Sequence, residues 1–167
     1  MRWKIEVGYK PNATDAMGEG IKKDIEDLGI SGVDYVKTLQ VYTLNGDLSE
    51  SDVTAICENL LADRITQFYR YYSIDRAEEK MSSDKAWVVE VTYKPGVTDA
   101  VGDSTVKAIR DLGINGISSA KTGQKYIISG SLSENDIGTI CRRLLANDVI
   151  QNYTITARHK SVVRGMV

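Results

Sequence analysis

The chain has 167 residues, 42% of them hydrophobic and 26% charged, a composition typical of folded globular protein. Its formal net charge of -2 and sequence pI near 5.5 provide no basic surface of the kind that duplex nucleic acid requires. No apolar run approaches the roughly 20 residues of a membrane-spanning helix, and Met1 leads directly into a strand pattern instead of a signal peptide. We therefore expect a cytoplasmic protein with neither nucleic acid nor membrane as a partner.

The first predicted elements are a strand and a helix. Apolar and polar residues alternate from Trp3 to Tyr9, which is the period of a strand with one buried face. A proline then stops the strand, and Asp15 offers a side-chain oxygen to the free N–H groups of a helix whose apolar residues recur up to Leu28. Gly29 follows the last of them, where a glycine readily takes the left-handed conformation that ends a helix.

Two further strands, a second helix and a last strand complete the pattern. Residues 33–40 and 41–48 predict two strands joined by a hairpin. Ser49 and Asp52 form a sequence that resembles a capping box, which introduces a helix with Cys57 on its apolar side. Residues 65–72 predict the last strand.

This order of elements occurs twice. Residues separated by 84 positions match without a gap, beginning with Trp3 on Trp87, so the chain is a tandem repeat. Divided accordingly, it consists of a first copy (1–73), a linker (74–85), a second copy (86–157) and a basic tail (158–167). A unit of this length exceeds a solenoid module of roughly 20 to 50 residues, so we expect each copy to build its own core.

Each copy reads strand, helix, strand, strand, helix, strand. This is the order of the ferredoxin-like βαββαβ arrangement, in which two crossovers place both helices on one face of a four-stranded antiparallel sheet. The predicted class is therefore α+β, with two ferredoxin-like units that form an intrachain pseudo-dimer.

Groups suited to catalysis or metal binding are scarce in the sequence. The single histidine, His159, lies in the basic tail, and neither a catalytic triad nor a metal cluster can be built on it. Cys57 and Cys141 occupy equivalent positions in apolar helical stripes, which favours buried hydrophobic residues over a disulfide or metal ligands. Carboxylates fall mostly on predicted helix surfaces and caps. We expect no catalytic residue and no metal site in this chain.

A candidate binding segment lies at the predicted junction between two strands of the second copy. It consists of Lys121, Thr122, Gly123, Lys125 and Tyr126. A tight turn there would present backbone N–H groups and ammonium groups to an anion or an acidic protein surface. The alternative is a hairpin with solvated lysines and no function. The first copy has Leu39 and Val41 in place of the glycine and the second lysine, so the two copies would bind unequally.

Three short motifs, taken in order, resemble the PurS family. The second copy carries Tyr-Lys-Pro at 93–95, Asp-Leu-Gly at 111–113 and Lys-x-Gly-x-Lys-Tyr at 121–126, and the first copy keeps the first two. PurS is the small subunit of the multi-chain phosphoribosylformylglycinamidine synthase. The resemblance covers nearly the whole chain except the linker and the tail.

The resemblance implies a scaffold without an active site of its own. Its dimer would bridge the synthetase PurL and the glutaminase PurQ in de novo purine biosynthesis, and would support the transfer of ammonia between them. The synthetase would bind ATP and magnesium, and this chain would bind no cofactor. The implied partner-binding residues are those of the segment 121–126, followed by Lys10, Pro11, Lys94 and Pro95.

Two other functions share the predicted fold. A tandem ACT-like regulatory domain would bind an amino acid or a nucleotide between its halves, but the enzyme or DNA-binding segment that usually accompanies such a domain is missing. A small RNA-binding protein would stack bases on the aromatic residues of 68–72, but the acidic net charge favours packing or a protein interface there. Further self-association is left open by the sequence.

Overall fold

The computed structural model describes residues 1–76 and 86–158. The strands are β1 (Arg2–Tyr9), β2 (Val33–Gly46), β3 (Gln67–Ser73), β4 (Ala86–Tyr93), β5 (Ile117–Gly130) and β6 (Gln151–Arg158). The helices are α1 (Ala16–Asp27), α2 (Glu50–Ile56), α3 (Ala100–Asp111) and α4 (Glu134–Ile140). Short helical turns add Cys57–Leu61 and Cys141–Leu145, both π-helical, and the 3-10 helix Ile74–Arg76. Within the described ranges, no helix is both long and apolar enough to cross a membrane.

Parts of the predicted linker and tail lie outside the described residues. These parts are residues 77–85 and 159–167, and the second of them includes His159. The boundaries predicted for the copies, the linker and the tail therefore stay predictions.

The helix ends follow the capping signals in the sequence. Asp15 and Asp99 cap α1 and α3, and each accepts a hydrogen bond at 2.9 Å from a backbone N–H, of Gly18 and Gly102 respectively. Capping boxes are present at the starts of α2 and α4, as predicted. Gly29, after α1, has a φ of 85°, so the helix ends on a left-handed glycine as its sequence indicates.

The two strands predicted between the helices of each copy are one continuous strand. The sequence predicts separate strands over residues 33–40 and 41–48, whereas the structure has the single strand β2, with β5 as its counterpart in the second copy. β1 pairs with β2 without interruption from Arg2↔Asn45 to Gly8↔Leu39. The predicted hairpins are wrong because pairing continues through the junction, where even Gly123 adopts the extended backbone of β5.

The described residues form two compact units that do not coincide with the two copies. The first unit contains Met1–Thr14, the described part of Leu39–Glu78, and Pro95–Gly123. The second unit contains Asp15–Thr38 and the described parts of Glu79–Lys94 and Gln124–Val167. Helix α3 of the second copy therefore belongs to the first unit, and helix α1 of the first copy belongs to the second unit.

Each unit has the four strands and two helices of a ferredoxin-like fold. The first unit has the strand order β3-β1-β2-β5 with helices α2 and α3, and the second has β2-β5-β4-β6 with α1 and α4. The pairs β1–β3 and β4–β6 are antiparallel. The predicted α+β class with two ferredoxin-like units is confirmed.

The core of each unit is built from both copies. In the first unit, Ile109 of α3 packs in one fully buried cluster with Ile5 of β1 and Ile56 of α2. In the second unit, Ile25 of α1 packs with residues of β4 and α4, among them Val89. The expectation that each copy builds its own core is wrong. Because β2 does not turn back on itself, the helix before it and the helix after it belong to different units.

Candidate interaction site

Thr122, a residue of the candidate binding segment, is held inside the first unit. The segment lies within β5, where successive side chains alternate between the two faces of the sheet. The backbone N–H of Thr122 donates to Oδ2 of Asp99 at 2.6 Å, and its hydroxyl donates to Oδ1 of the same carboxylate at 2.9 Å. Since Thr122 is only 8% exposed, its polar groups act within the protein and attach the start of α3 to β5.

Tyr126 lies in the core of the second unit. It is buried among the apolar residues of that unit, and this burial raises the pKa of its phenol. Lys121 is exposed, whereas Gly123 and Lys125 are half-buried. The structure thus gives Thr122 and Tyr126 internal roles and leaves Lys121 as the member of the segment with an exposed side chain.

The second group of predicted partner-binding residues lies beside two surface turns. It consists of Lys10, Pro11, Lys94 and Pro95. The backbone N–H of Lys10 donates to the carbonyl of Thr66 at 2.9 Å, and its Nζ donates to the carbonyl of Arg64 at 2.7 Å. The backbone N–H of Lys94 donates to the carbonyl of Ile150 at 2.9 Å. Both prolines are exposed, so each lies on the surface next to a turn.

These turns carry the most exposed large apolar side chains in the described ranges. We call residues 63–66 the first tip and residues 147–150 the second tip, and they are equivalent under the repeat of 84 positions. Ile65 in the first tip is 82% exposed, and Val149 in the second is 76% exposed. Each tip therefore presents an aliphatic side chain almost completely to solvent.

Side-chain hydrogen bonds hold the backbone of each tip. In the first tip, Asp63 Oδ1 accepts from the N–H of Ile65, and Gln67 Oε1 accepts from the N–H of Asp63, both at 2.8 Å. The same two bonds recur in the second tip at 3.0 and 2.9 Å. The sequence pattern predicts strand from residues 65 and 149, whereas β3 and β6 begin two residues later. Each turn is indicated in the sequence by the Asp or Asn at its start.

A buried carboxylate lies on the face of β1 opposite to the core of the first unit. Glu6 alternates with the core residues Ile5 and Val7 and is only 2% exposed. Arg70 Nε donates to Glu6 Oε1 at 2.6 Å. The strand register places Glu6 between Arg70 of β3 and Val41 of β2. The arginine supplies the counter-charge without which a buried carboxylate is strongly destabilising.

The two cysteines are packed as hydrophobic residues, as predicted. Cys57 and Cys141 are free thiols with no exposed surface. Burial raises the pKa of Cys57 to about 12 and that of Cys141 to about 11, so both thiols are protonated at neutral pH. In the part of the chain that the structure describes, no group of three or more His, Cys, Asp and Glu side chains is placed to hold a metal ion.

Comparison with known proteins finds the same duplication. The model of the PurS family, described as phosphoribosylformylglycinamidine (FGAM) synthase, matches residues 2–74 and again residues 86–159. The subunit PurS of phosphoribosylformylglycinamidine synthase from Archaeoglobus fulgidus is 37% identical over 75 residues, which are 42% of this chain and 94% of the relative. One copy of this chain therefore corresponds to nearly a whole PurS subunit, and the predicted tandem arrangement is confirmed.

Two further similarities differ in extent. A protein of Klebsiella pneumoniae named as a nucleotide-binding protein is 24% identical over 156 residues, which are 90% of this chain and 91% of the relative. The crystal structure of PurS from Methanocaldococcus jannaschii is 26% identical and matches 44% of this chain and 95% of that chain, with a TM-score of 0.37. The Klebsiella similarity thus spans both copies.

Proposed function

The chain belongs to the PurS family, and from that premise we propose that it is a non-catalytic subunit that bridges PurL and PurQ in phosphoribosylformylglycinamidine synthase. In this role it would support the transfer of ammonia from the glutaminase PurQ to the synthetase PurL, in the cytoplasm. ATP and magnesium would then be bound by the synthetase. The observation that carries the proposal is the family match to each of the two copies.

The tandem arrangement suits a bridging subunit. Two PurS-like copies in one chain are always present together, so the second copy is supplied at a high effective concentration and does not depend on free dimerisation. The two copies also differ in sequence, for example at Leu39 and Gly123, which are equivalent positions. A fused pair can therefore present two different surfaces to two different partners.

We propose the partner-binding residues from the two groups that the sequence predicts, the segment 121–126 and the residues beside the two tips. Lys121 is exposed on β5, and the exposed Pro11 and Pro95 flank Lys10 and Lys94 next to the two tips. Charged groups at the rim of an interface mainly change the association rate and its salt dependence. We therefore assign Lys121 to a rim contact with a partner.

Reconstitution with purified PurL and PurQ tests this function. Formation of the amidine product with glutamine as the nitrogen source should require this chain, whereas the reaction of PurL with ammonium should not. Lys121→Glu should lower the association rate with a partner and make it less sensitive to salt. Full glutamine-dependent turnover by PurL and PurQ without this chain would contradict the proposal.

The second candidate is a nucleotide-binding protein. The similarity to the Klebsiella protein favours it, because that similarity covers 90% of this chain. Calorimetry with purine nucleotides separates the two functions, since a scaffold should release no binding heat. Micromolar binding of a nucleotide by the isolated chain would favour the second candidate.

A further inference from the structure

The two tips carry similar aliphatic residues next to opposite charges. Arg64 precedes Ile65 in the first tip, and Asp148 precedes Val149 in the second, and all four residues are exposed. The repeat of 84 positions makes Arg64 equivalent to Asp148. The charge of the residue directly before the aliphatic side chain has therefore reversed between the copies, while the carboxylate of Asp63 in the first tip becomes the neutral amide of Asn147 in the second. The hydrogen bonds of the turn are kept.

An aliphatic side chain on a rigid turn is suited to a pocket in a partner protein. A single exposed apolar residue needs no explanation, but here the same arrangement occurs in both copies. The bonds to the carboxylate of Asp63 and the amide of Asn147 fix each turn before binding. Little conformational entropy is then lost on association, which favours binding.

The difference between the tips comes from few residues. Lys10 lies beside the first tip and Lys94 beside the second, so these lysines do not distinguish them. The change from Arg64 to Asp148 lowers the charge by two units, and the change from Asp63 to Asn147 raises it by one, so the second tip is one unit more negative than the first. Charges around a contact reject a partner of the same sign and attract one of the opposite sign.

We propose that the two tips dock into two different proteins. Ile65 enters an apolar pocket with an acidic group placed to meet Arg64, and Val149 enters an apolar pocket with a basic group placed to meet Asp148. This inference rests on the proposed function, which makes PurL and PurQ the two partners. In a dimer of identical single-copy subunits both tips would be the same, so fusion of the copies is what allows the two charges to differ.

The test measures the affinity of the full chain for purified PurL and for purified PurQ separately. Ile65→Ser should weaken binding to one partner by roughly tenfold or more, because the apolar contact is lost, and should leave the other affinity unchanged. Val149→Ser should have the same effect on the other partner only. Arg64→Asp and Asp148→Arg should each slow association with the partner of their own tip, most clearly at low salt.

Met17 and Val101 provide the matched control. They are equivalent under the repeat, lie on α1 and α3, and are 55% and 54% exposed. Met17→Ser and Val101→Ser should change neither affinity, and thermal unfolding should show that all variants are folded.

Each other outcome overturns the inference. If both serine variants of the tips keep wild-type affinity for both partners, the tips are not docking elements. If both variants weaken the same partner, the tips have not diverged in partner choice. If the wild-type chain binds neither PurL nor PurQ, the proposed function itself fails. If it binds both and the tip variants have no effect, only this inference fails.

Discussion

The carboxylate of Asp99 joins a helix to a strand, because it accepts hydrogen bonds from the backbone N–H of Thr122 at 2.6 Å and from the N–H of Gly102 at 2.9 Å. The first bond is to β5 and the second caps α3. The same arrangement recurs in the other unit, where Asp15 accepts from the backbone N–H of Thr38 at 2.7 Å. Each long strand is thus attached, near its middle, to the helix that precedes it in the chain.

Asp99→Ala should lower the free energy of unfolding by about 3 kcal/mol. The substitution removes a helix cap and leaves the buried N–H and hydroxyl of Thr122 without their acceptor. Urea denaturation measures the change. Asp111→Ala, at an exposed position at the end of the same helix, is the control and should change the free energy by less than about 0.5 kcal/mol. Equal effects of the two substitutions would show that the attachment contributes nothing.

Cutting the linker should not separate the two copies. The experiment introduces a protease site within residues 77–85 and cuts the chain between the copies. Since each core contains residues of both copies, such as Ile5 and Ile109 in the first unit, the two fragments should elute together in gel filtration. They should separate only after denaturation.

A variant with a weakened core serves as the control for the cleavage experiment. Ile109→Ala should reduce stability by about 2–5 kcal/mol through the cavity that it leaves, and the cleaved variant should dissociate at a lower urea concentration. Two fragments that elute separately as folded monomers would show that each copy has its own core, contrary to the structure.

Local features of the fold could be predicted from the sequence, but the exchange of helices could not. The cap at Asp15 and the burial of Cys57 depend on residues within a few turns of the chain, which a short pattern contains. Whether the chain turns or continues after Gln40 depends on pairing with distant residues, such as Gly8 with Leu39. That pairing decides which unit receives each helix.

The candidate site also combines features that the sequence predicts with features that depend on distant contacts. The exposure of Lys121 follows from its charge, but the burial of Tyr126 in the second unit depends on packing that the strand pattern does not reveal. The exposure of Ile65 could not be predicted from the sequence, because an aliphatic residue before a strand is normally assigned to that strand.

Lys125 should act as a counter-charge to Glu90 inside the second unit. The repeat makes Lys125 equivalent to Val41, and Val41 lies opposite Glu6 in the pairing of β1 with β2. The repeat also makes Glu90 equivalent to Glu6, so Lys125→Met should destabilise the protein by about 1–2 kcal/mol. Urea denaturation again provides the measurement.

Thr154→Arg should restore the stability that Lys125→Met removes. Thr154 is exposed and lies opposite Glu90 in the pairing of β4 with β6, where Arg70 lies opposite Glu6 in the first unit. The double variant would then have the charge arrangement of the first unit. If Lys125→Met leaves stability unchanged but weakens binding to PurL or PurQ, Lys125 is a contact residue and not a counter-charge.

The cysteines should contribute a loss of stability at high pH. Burial raises the pKa of Cys57 from 9.0 to about 12, so above pH 9 the unfolded chain releases the thiol proton while the folded chain keeps it. The contribution is fully present below pH 9 and decreases as the pH rises toward 12. Cys57→Ala combined with Cys141→Ala should reduce the fall in the free energy of unfolding between pH 8 and 10. An identical pH dependence of variant and wild type would contradict this.

Gly18 and Gly20, two residues apart in α1, should respond in opposite directions to the same substitution. A Cβ atom at Gly18 would overlap the carbonyl oxygen of Val36 on β2, whereas a Cβ atom at Gly20 would meet nothing within 4 Å. Gly18→Ala should therefore destabilise the protein by about 1–3 kcal/mol, because the helix must move away from the strand. Gly20→Ala should stabilise it by about 0.5–1 kcal/mol, because alanine restricts the unfolded chain and favours the helix.

The second copy supports this assignment, because it keeps a glycine only where space requires one. Gly102, the equivalent of Gly18, has the same close approach to the carbonyl oxygen of Ala120, whereas the equivalent of Gly20 is Ser104. Gly18 is therefore needed for packing the start of α1 against β2. Thermal unfolding of the two alanine variants measures the difference, and a stabilising effect at Gly18 would show that α1 does not lie as close to β2 as the structure places it.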